Sequence, residues 1–457
     1  MKKRISIGVL LAAVGALALV AAGCGGGGKK SGGGGGGGKG VTALPASSCN
    51  ALQYKGSGKP DYLLASDLPL IGGSRQQTTQ MNQAISYLLQ QRNWMAGKYH
   101  IAFQPCNDAS AQLAKWDPTK CSANAHADVA DKSLIAVIGT FNSGCAAIII
   151  PVLNQAPGGG MLLLSPANTY GCLTEHCSAS EPSKYYPSGK RNYARVAPSD
   201  PNQGAVDAAF LKSKGVTSVY VLNDKEAYGL GVARNFAGAA KQAGIKLLGF
   251  DAYDPKAPNY QALFTKIKNT NPDAVFIGGL IDENSGQLIN DKVNVLGSNT
   301  KVKLMLPDGF TTPAVFDRSQ GGTPSANGAF FSVAGAPLDD YTAPAAVKFI
   351  NGFKKTLHGA ALNPYAILAA QAAVVVLDAI GKSDGSRADV INQVFKTHVS
   401  NGLIGSFSIS KQGDLSGANG AAVEFTLYEG AGNNLKTVKT THPEASLVEA
   451  ARKGATG

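Results

Sequence analysis

The sequence has few charged residues and lacks the motifs that mark common catalytic and nucleic-acid-binding sites. Only 16% of its 457 residues are charged and 44% are hydrophobic, so the chain has enough apolar material for a core and is not disordered throughout. Its six histidines form no HExxH motif and have no close serine partner in a Gly-x-Ser-x-Gly elbow, and Gly158–Gly160 lacks the Lys-Ser/Thr of a P-loop. Basic residues occur in short pairs such as Lys354-Lys355, without interleaved aromatics. These absences argue against an enzyme and against a nucleic-acid partner.

The first 40 residues carry half of the formal net charge of +12 and contain no acidic residue. A basic start, Met1–Arg4, precedes an apolar run over residues 5–20 that is short for a membrane span, which predicts a signal peptide over residues 1–23. Ala-Ala-Gly-Cys at 21–24 resembles the lipobox of bacterial lipoproteins, although Ala21 stands where Leu is commoner. The resemblance implies that Cys24 is lipidated. An ordinary secretory signal and a short uncleaved anchor are the alternatives.

Glycine and lysine make up almost all of residues 25–40. Glycine loses the most entropy on ordering and has no side chain to bury, so we predict a tether over residues 24–57 that begins at the lipidated cysteine. The lysines either approach anionic lipid head groups or keep the glycine run soluble.

Six cysteines remain after Cys24, an even number in a chain predicted to be exported, which favours three disulfides. Cys172 and Cys177 flank a short polar stretch and are predicted to close a local loop. The other four pair in one of three ways, and the sequence does not choose among them: Cys49, Cys106, Cys121 and Cys145. A metal site at His176 lacks a second Cys/His pair at zinc-finger spacing, so we predict neither a metal nor a cofactor.

From residue 60 onward, short apolar runs alternate with helical periodicity, which predicts an α/β fold with parallel sheets. The first half has predicted strands at 61–64, 99–103, 134–138 and 161–164 and helices at 76–92 and 145–154. The pattern then starts again, with strands at 218–222, 246–249, 274–278 and 303–306 and helices at 229–243, 260–269 and 285–296. Two further helices, at 345–357 and 365–380, and hairpin strands within 407–427 complete the prediction. The length and the repeated pattern predict two lobes.

The loops that follow these strands resemble, in sequence and order, those of the type I periplasmic binding proteins of branched-chain amino-acid ABC transporters. The similarity spans roughly residues 60–430 and rests on six loops: Leu68–Gly73, Val137–Ser143, Leu164–Thr169, Asn223–Gly231, Asn271–Phe276 and Pro307–Gly309. It implies two lobes, each a doubly wound parallel sheet, joined by three hinge crossings near Arg195, Val333 and Gly402. We expect lobe 1 at 58–194 and 335–401, lobe 2 at 195–334 and 402–445, and a tail at 446–457.

Five residues that follow predicted strands are candidate ligand contacts, because ligands of doubly wound sheets bind beyond the carboxyl ends of the strands. They are Ser143, Ala167, Thr169, Tyr228 and Asp308. By resemblance, Ser143 binds the ligand, the turn with Ala167 and Thr169 holds the amino and carboxylate groups of an amino acid, Tyr228 covers it, and Asp308 pairs with its ammonium. The structural alternatives are a plain helix cap, a plain turn, a packing tyrosine and an Asp-Gly turn, respectively.

The sequence departs from the family around the expected side-chain pocket. Arg75 arrives early after the Gly72-Gly73 pair and is either a surface charge or a partner for an acidic substituent. Leu280 replaces an aromatic residue found in close relatives. Longer loops lie at 106–121 and 172–191. The identity of the ligand side chain is therefore open.

The predicted function is that of a substrate-binding lipoprotein of an ABC importer. It would lie on the extracytoplasmic face of the cell membrane, close its lobes on a small amino acid or related zwitterion, and deliver it to the ABC permease as a monomer. The alternative is a sensor of the same fold that signals to a membrane receptor or kinase.

Overall fold

The computed structural model describes residues 40–456, so the predicted signal peptide, Cys24 and most of the glycine-rich run lie outside the described residues. The strands are, in chain order, β1 (Tyr62–Leu68), β2 (Met95–Ala96), β3 (Tyr99–Asn107), β4 (Ala109–Ser110), β5 (Lys115–Trp116), β6 (Leu134–Gly139), β7 (Leu162–Ser165), β8 (Tyr193–Arg195), β9 (Ser218–Asn223), β10 (Lys246–Ala252), β11 (Ala274–Gly278), β12 (Lys303–Leu306), β13 (Phe330–Ala334), β14 (His398–Gly402), β15 (Gly405–Ile409), β16 (Leu415–Ser416), β17 (Phe425–Ala431) and β18 (Asn434–Thr441). The helices are α1 (Arg75–Gln91), α2 (Pro118–Ala130), α3 (Ser143–Asn154), α4 (Asp200–Ser213), α5 (Ala227–Gln242), α6 (Gln261–Lys268), α7 (Ser285–Leu296), α8 (Pro344–Lys354), α9 (Pro364–Lys382), α10 (Arg387–Val394) and α11 (Ala445–Ala455).

Lobe 1 is built on a six-stranded sheet in the order β2-β3-β1-β6-β7-β8, parallel except for β2 at its edge. Every residue of β6 is buried, as expected for a parallel strand covered on both faces. One face packs against α1, α8, α9 and α10, and the other against α2 and α3. The apolar stripe of α1, which includes Met81, Ile85 and Leu88, supplies the contact with α9.

Lobe 2 is built on a seven-stranded sheet in the order β10-β9-β11-β12-β13-β17-β18. Its first five strands are parallel, and β17 and β18 extend the sheet in antiparallel fashion. Helices α4, α5 and α11 cover one face, and α6 and α7 cover the other. The predicted two-lobed α/β fold with doubly wound, largely parallel sheets is confirmed.

The chain passes between the lobes three times. The first two crossings follow β8 and β13, close to Arg195 and Val333 as expected. The third, expected near Gly402, lies between Ile409 and Phe425. Residues 403–409 stay with lobe 1 because Leu403 and Phe407 are buried in its core, and the Leu403 amide donates a hydrogen bond of 2.7 Å to Gln371 Oε1.

Both ends of the described chain pack onto the lobes. The region expected as a C-terminal tail, 446–457, contains most of α11, whose buried face lies against α5. The end of the expected tether is also ordered: Leu44 is buried, and its amide donates a hydrogen bond of 2.8 Å to Gln104 Oε1 on β3.

Three disulfides join the six described cysteines. Cys172–Cys177 closes the predicted local loop. The pairing that the sequence left open is Cys49–Cys106, which ties the segment before β1 to β3, and Cys121–Cys145, which joins α2 to α3. All three lie in lobe 1.

Helix α9 is the one described helix that is long and apolar enough to cross a membrane, yet most of its residues are buried inside the protein. It packs along α1 in the core of lobe 1. Its apolar character is that of a core helix.

Arg195, at the first crossing, is fully buried and joins two of the three crossing regions. Its Nε donates to Asp414 Oδ1 at 2.7 Å, in the turn between β15 and β16. Its Nη1 donates to the carbonyl oxygens of Asn168 at 3.2 Å and Tyr170 at 2.9 Å, and Nη2 donates to Thr174 Oγ1 at 2.5 Å. One guanidinium therefore holds both the loop after β7 and the third crossing.

Replacing Arg195 with methionine should lower the free energy of unfolding by about 3–5 kcal/mol, because it removes one partner of a buried ion pair and leaves several carbonyls unsatisfied. Urea unfolding followed by circular dichroism measures the change. Lys266→Met, which breaks the exposed Lys266–Asp251 pair, is the control and should leave the transition in place. Equal urea midpoints for Arg195→Met and Lys266→Met would contradict a stabilising role of Arg195.

Candidate functional site

The five predicted ligand residues all lie at the carboxyl ends of strands, in the cleft between the lobes. Ser143 begins α3 after β6, and Ala167 and Thr169 follow β7 in lobe 1; Tyr228 begins α5 after β9, and Asp308 follows β12 in lobe 2. None is more than 6% exposed. The cleft therefore holds groups from both lobes in a space screened from water.

Ser143 is not the cap of α3. The helix begins at Ser143, two residues before its predicted start at 145, so Asn142 holds the N-cap position, and within residues 40–456 its side chain makes no capping hydrogen bond. The Ser143 hydroxyl instead accepts a long hydrogen bond of 3.4 Å from the Tyr170 amide. The hydroxyl and the first amides of α3 thus form a donor-rich corner of the cleft, which suits an anion.

The turn after β7 is held by its own polar residues, but Thr169 is not one of them. Ser165 Oγ accepts from the amides of Ala167 at 3.1 Å and Asn168 at 2.8 Å. Asn168 Nδ2 donates to the Thr140 and Phe141 carbonyl oxygens at 2.9 and 3.0 Å. Thr169 Oγ1 is buried without a hydrogen-bond partner in the described chain. Turn chemistry accounts for Ser165 and Asn168 and leaves the Thr169 hydroxyl available.

Asp308 joins the two lobes through tyrosine hydroxyls. Tyr228 Oη of lobe 2 donates to Asp308 Oδ1 at 2.6 Å, and Tyr365 Oη, from the start of α9 in lobe 1, donates to Asp308 Oδ2. The Gly309 amide donates to Tyr228 Oη at 3.1 Å. Burial raises the pKa of Asp308, and the hydrogen bonds from Tyr228 and Tyr365 oppose that rise. Asp308 therefore links the two lobes in addition to forming an Asp-Gly turn. Tyr228 donates a hydrogen bond to Asp308 in addition to packing in the core of lobe 2.

Asp200 belongs to this cleft and was missed by the sequence analysis. It is the first residue of α4, directly after the first crossing, and its amide donates to the Thr169 carbonyl oxygen at 2.8 Å. Both of its carboxylate oxygens are buried and have no hydrogen-bond partner among the described residues. Burial raises the pKa of Asp200 to about 8; the charges of Asp308 and Glu175 add to the rise, and the charge of Arg195 opposes it.

Sequence signals for Asp200 and Tyr365 were weak. Ser199-Asp200-Pro201 has the residue types of a helix start, and Asn363-Pro364 has the same character before Tyr365. The residue types in both segments are therefore explained by the start of a helix, without any role in ligand binding. Only the fold shows that the two side chains converge on Asp308.

Aromatic and aliphatic groups border the polar residues of the cleft. Phe141 meets the Tyr365 ring edge-on, with centroids 5.4 Å apart. The Trp116 ring packs against the backbone of Gly144, next to Ser143, and Leu280 packs with Tyr228 against Gly309. Arg75 is exposed and lies at the rim of a cavity of about 980 Å³ between the lobes.

Potential metal ligands come together at one place in the described chain, where Asp108 lies beside Cys121 and Cys145. The two sulfur atoms form a disulfide and offer no thiolate. This group therefore does not provide a metal site.

A family model described as "Periplasmic binding protein" matches residues 114–423 of the chain. A Leu/Ile/Val-binding protein, BraC3, from Rhizobium johnstonii is 28% identical over 299 residues, which covers 64% of this chain and 72% of that protein. A leucine-specific-binding protein from Salmonella typhimurium is 24% identical over 323 residues, with 70% and 79% covered.

Solved structures show the same fold. The leucine binding protein LivK from Thermotoga maritima superimposes with a TM-score of 0.69 at 20% identity, covering 84% of this chain and 99% of that one. A solute binding protein from R. palustris in complex with 4-hydroxybenzoate gives a TM-score of 0.65 at 15% identity, with 85% and 99% covered. The chain therefore belongs to the periplasmic binding protein family, has the two-lobed fold of its type I members, and is a solute-binding protein and not an enzyme.

Proposed function

We propose that this protein is the extracytoplasmic substrate-binding lipoprotein of an ABC importer, and that it binds a small amino acid or related zwitterion between its lobes. The observation that carries the proposal is the unpartnered Thr169 hydroxyl beside the unpartnered Asp200 carboxylate, both buried in one cleft of the described chain. Ser143, Thr169 and the first amides of α3 supply donors for a carboxylate. Asp200 and Asp308 supply acceptors for an ammonium group.

Two comparisons bear on the class of ligand. Relatives are named for leucine, isoleucine and valine, whereas one structural neighbour was solved with 4-hydroxybenzoate, which has no amine. Two buried carboxylates would repel a ligand that carries only negative charge and would pair with an ammonium group. This charge arrangement supports the amino acid.

Binding by lobe closure supports delivery to a permease. A ligand enclosed between lobes shifts the protein toward its closed form, and a membrane partner that recognises that form receives only loaded protein. The lipobox-like sequence at Cys24 supports an anchor that keeps the protein at the membrane.

Titration calorimetry with leucine, isoleucine, valine, alanine and glycine tests the proposed ligand class. Binding should require both charged groups, so isocaproate, isoamylamine and benzoate should bind far more weakly than leucine. Asp200→Asn and Asp308→Asn should each weaken amino-acid binding by about 2–5 kcal/mol, because the ligand ammonium loses a charged partner. The exposed Asp340→Asn is the control. Tight binding of benzoate, or no binding of any amino acid, would refute the proposal.

Amino-acid affinity should rise with pH and level off above about pH 8, while the ligand amine stays protonated. The pKa of Asp200 is raised to about 8 in the empty cleft, and a bound ammonium stabilises the carboxylate, so binding below that pH releases a proton. The expected gain is at most tenfold per pH unit. Calorimetry at pH 7 in buffers of different ionisation enthalpy measures the released proton. Asp200→Asn should abolish the release, and its absence in the wild type would contradict this coupling.

Full-length protein expressed in a bacterium that processes lipoproteins should partition into the detergent phase of Triton X-114, because the lipid on Cys24 is its anchor. Cys24→Ala should move it to the aqueous phase or the medium. Wild-type protein in the aqueous phase would indicate an ordinary secretory signal. Membrane retention of Cys24→Ala would indicate an uncleaved anchor.

A further inference from the structure

Three short segments outside the ligand residues meet where the two lobes touch. Two come from lobe 1: Gly72–Ser74, after β1, and Ala114–Lys115, in the hairpin formed by β4 and β5. The third is the acidic pair Asp282-Glu283 of lobe 2, before α7. The hairpin lies in the longer loop at 106–121. Its Lys115 is not one of the candidate ligand residues.

Asp282 of lobe 2 binds the two residues that precede a helix of lobe 1. Its carboxylate accepts from the Gly73 amide and, at 2.9 Å, from Ser74 Oγ, just before α1 begins at Arg75. Ser74 itself, in the N-cap position, makes no side-chain capping bond to any residue in 40–456. An acidic group therefore lies beside the N-terminus of α1 only when the lobes are together, and it is favourably placed for the helix dipole.

Lys115 forms a second connection from lobe 1. Its Nζ contacts Glu283 Oε1, and it lies 3.2 Å from Glu226 Oε1. The Glu283 side chain is only 2% exposed and that of Lys115 is 20% exposed, so water screens this pair less than a surface ion pair. Glu226 stands two residues before Tyr228, so the contact also ties the hairpin to the segment that carries a ligand residue.

Gly73 of lobe 1 lies directly against lobe 2. A Cβ placed on it would lie 2.6 Å from Asp282 Oδ1 and 2.9 Å from both the Gln320 carbonyl oxygen and Ile281 Cγ2. All three atoms belong to lobe 2. The three nearest contacts of a side chain at this position would therefore all be with lobe 2.

We propose that these three segments form a clasp that sets how firmly the lobes close, and that Gly73 permits the closure by its lack of a side chain. The clasp is defined by Gly72–Ser74, Ala114–Lys115 and Asp282–Glu283. Its effect on affinity rests on the proposed function, in which closure retains the ligand. The clasp residues act on the ligand through the lobe equilibrium and are positioning residues.

Gly73→Ala is the decisive variant, because the three atoms nearest to its new methyl group all belong to lobe 2. We expect unchanged thermal stability, a larger radius of gyration by small-angle X-ray scattering, and a ligand Kd raised at least tenfold, mostly through faster dissociation. Gly40→Ala is the matched control, since no atom of the described chain lies within 4 Å of a Cβ built there. A Gly73→Ala protein with wild-type scattering and wild-type Kd would overturn the clasp.

Lys115→Met tests the second connection and should raise the dissociation rate several-fold. Combined with Glu283→Gln, its effect should be less than additive, because both remove the same pair. Arg92→Met, which breaks the Arg92–Asp378 pair within lobe 1, is the control and should leave dissociation unchanged. If the effects of Lys115→Met and Glu283→Gln on the dissociation rate are fully additive, the Lys115–Glu283 pair is not part of the clasp.

The clasp and the proposed function fail in distinguishable ways. If wild-type protein binds no amino acid, the proposed function is wrong, and small-angle scattering of the ligand-free proteins then tests whether the clasp controls lobe closure. A smaller radius of gyration for ligand-free wild type than for ligand-free Gly73→Ala would support the clasp. Equal radii of gyration for these two proteins would contradict it.

Discussion

The buried guanidinium of Arg195 is the contact on which the geometry of the cleft depends. It neutralises Asp414 at the third crossing and binds the carbonyl oxygens of Asn168 and Tyr170, on either side of Thr169. The hinge and the ligand turn are thus positioned by one side chain. A planar cation with several donors can satisfy carbonyls and a carboxylate in different directions at once, which a lysine cannot do. The same charge also reaches Asp200 and opposes the rise of its pKa.

The cleft concentrates negative charge where burial makes charge expensive. Asp308 is satisfied by two tyrosine hydroxyls, one from each lobe, whereas Asp200 has no hydrogen-bonding partner in the described part of the chain. An uncompensated buried carboxylate is costly, and its cost falls when a cation binds beside it. An ammonium-bearing ligand, as proposed above, would therefore stabilise the site and would favour the arrangement of the lobes that buries it. In that case the specificity for the ligand and the closure of the lobes have the same electrostatic origin.

Much of the fold and part of the site followed from local sequence patterns. The alternation of apolar runs and helical periodicity predicted two sheets, because parallel strands covered on both faces consist of consecutive apolar residues. The five candidate residues were found because they follow strands. Asp200 and Tyr365 were missed because each begins a helix and has a sufficient local explanation as part of a helix start. The third crossing was misplaced because a hairpin looks the same whether its apolar residues pack against lobe 1 or lobe 2.

The sequence by itself determined the α/β class, the two-lobed division, the local Cys172–Cys177 loop and the polar character of the loops at the strand ends. These depend on residue type and spacing along the chain. Only the tertiary structure decided which cysteines pair across 24 and 57 residues, that Ser143 is not a cap, and that Asp308 bonds to tyrosines of both lobes. It also decided that Gly73 lies against lobe 2. Each of these depends on the distance between segments far apart in the chain, and that distance is set by how helices and sheets pack.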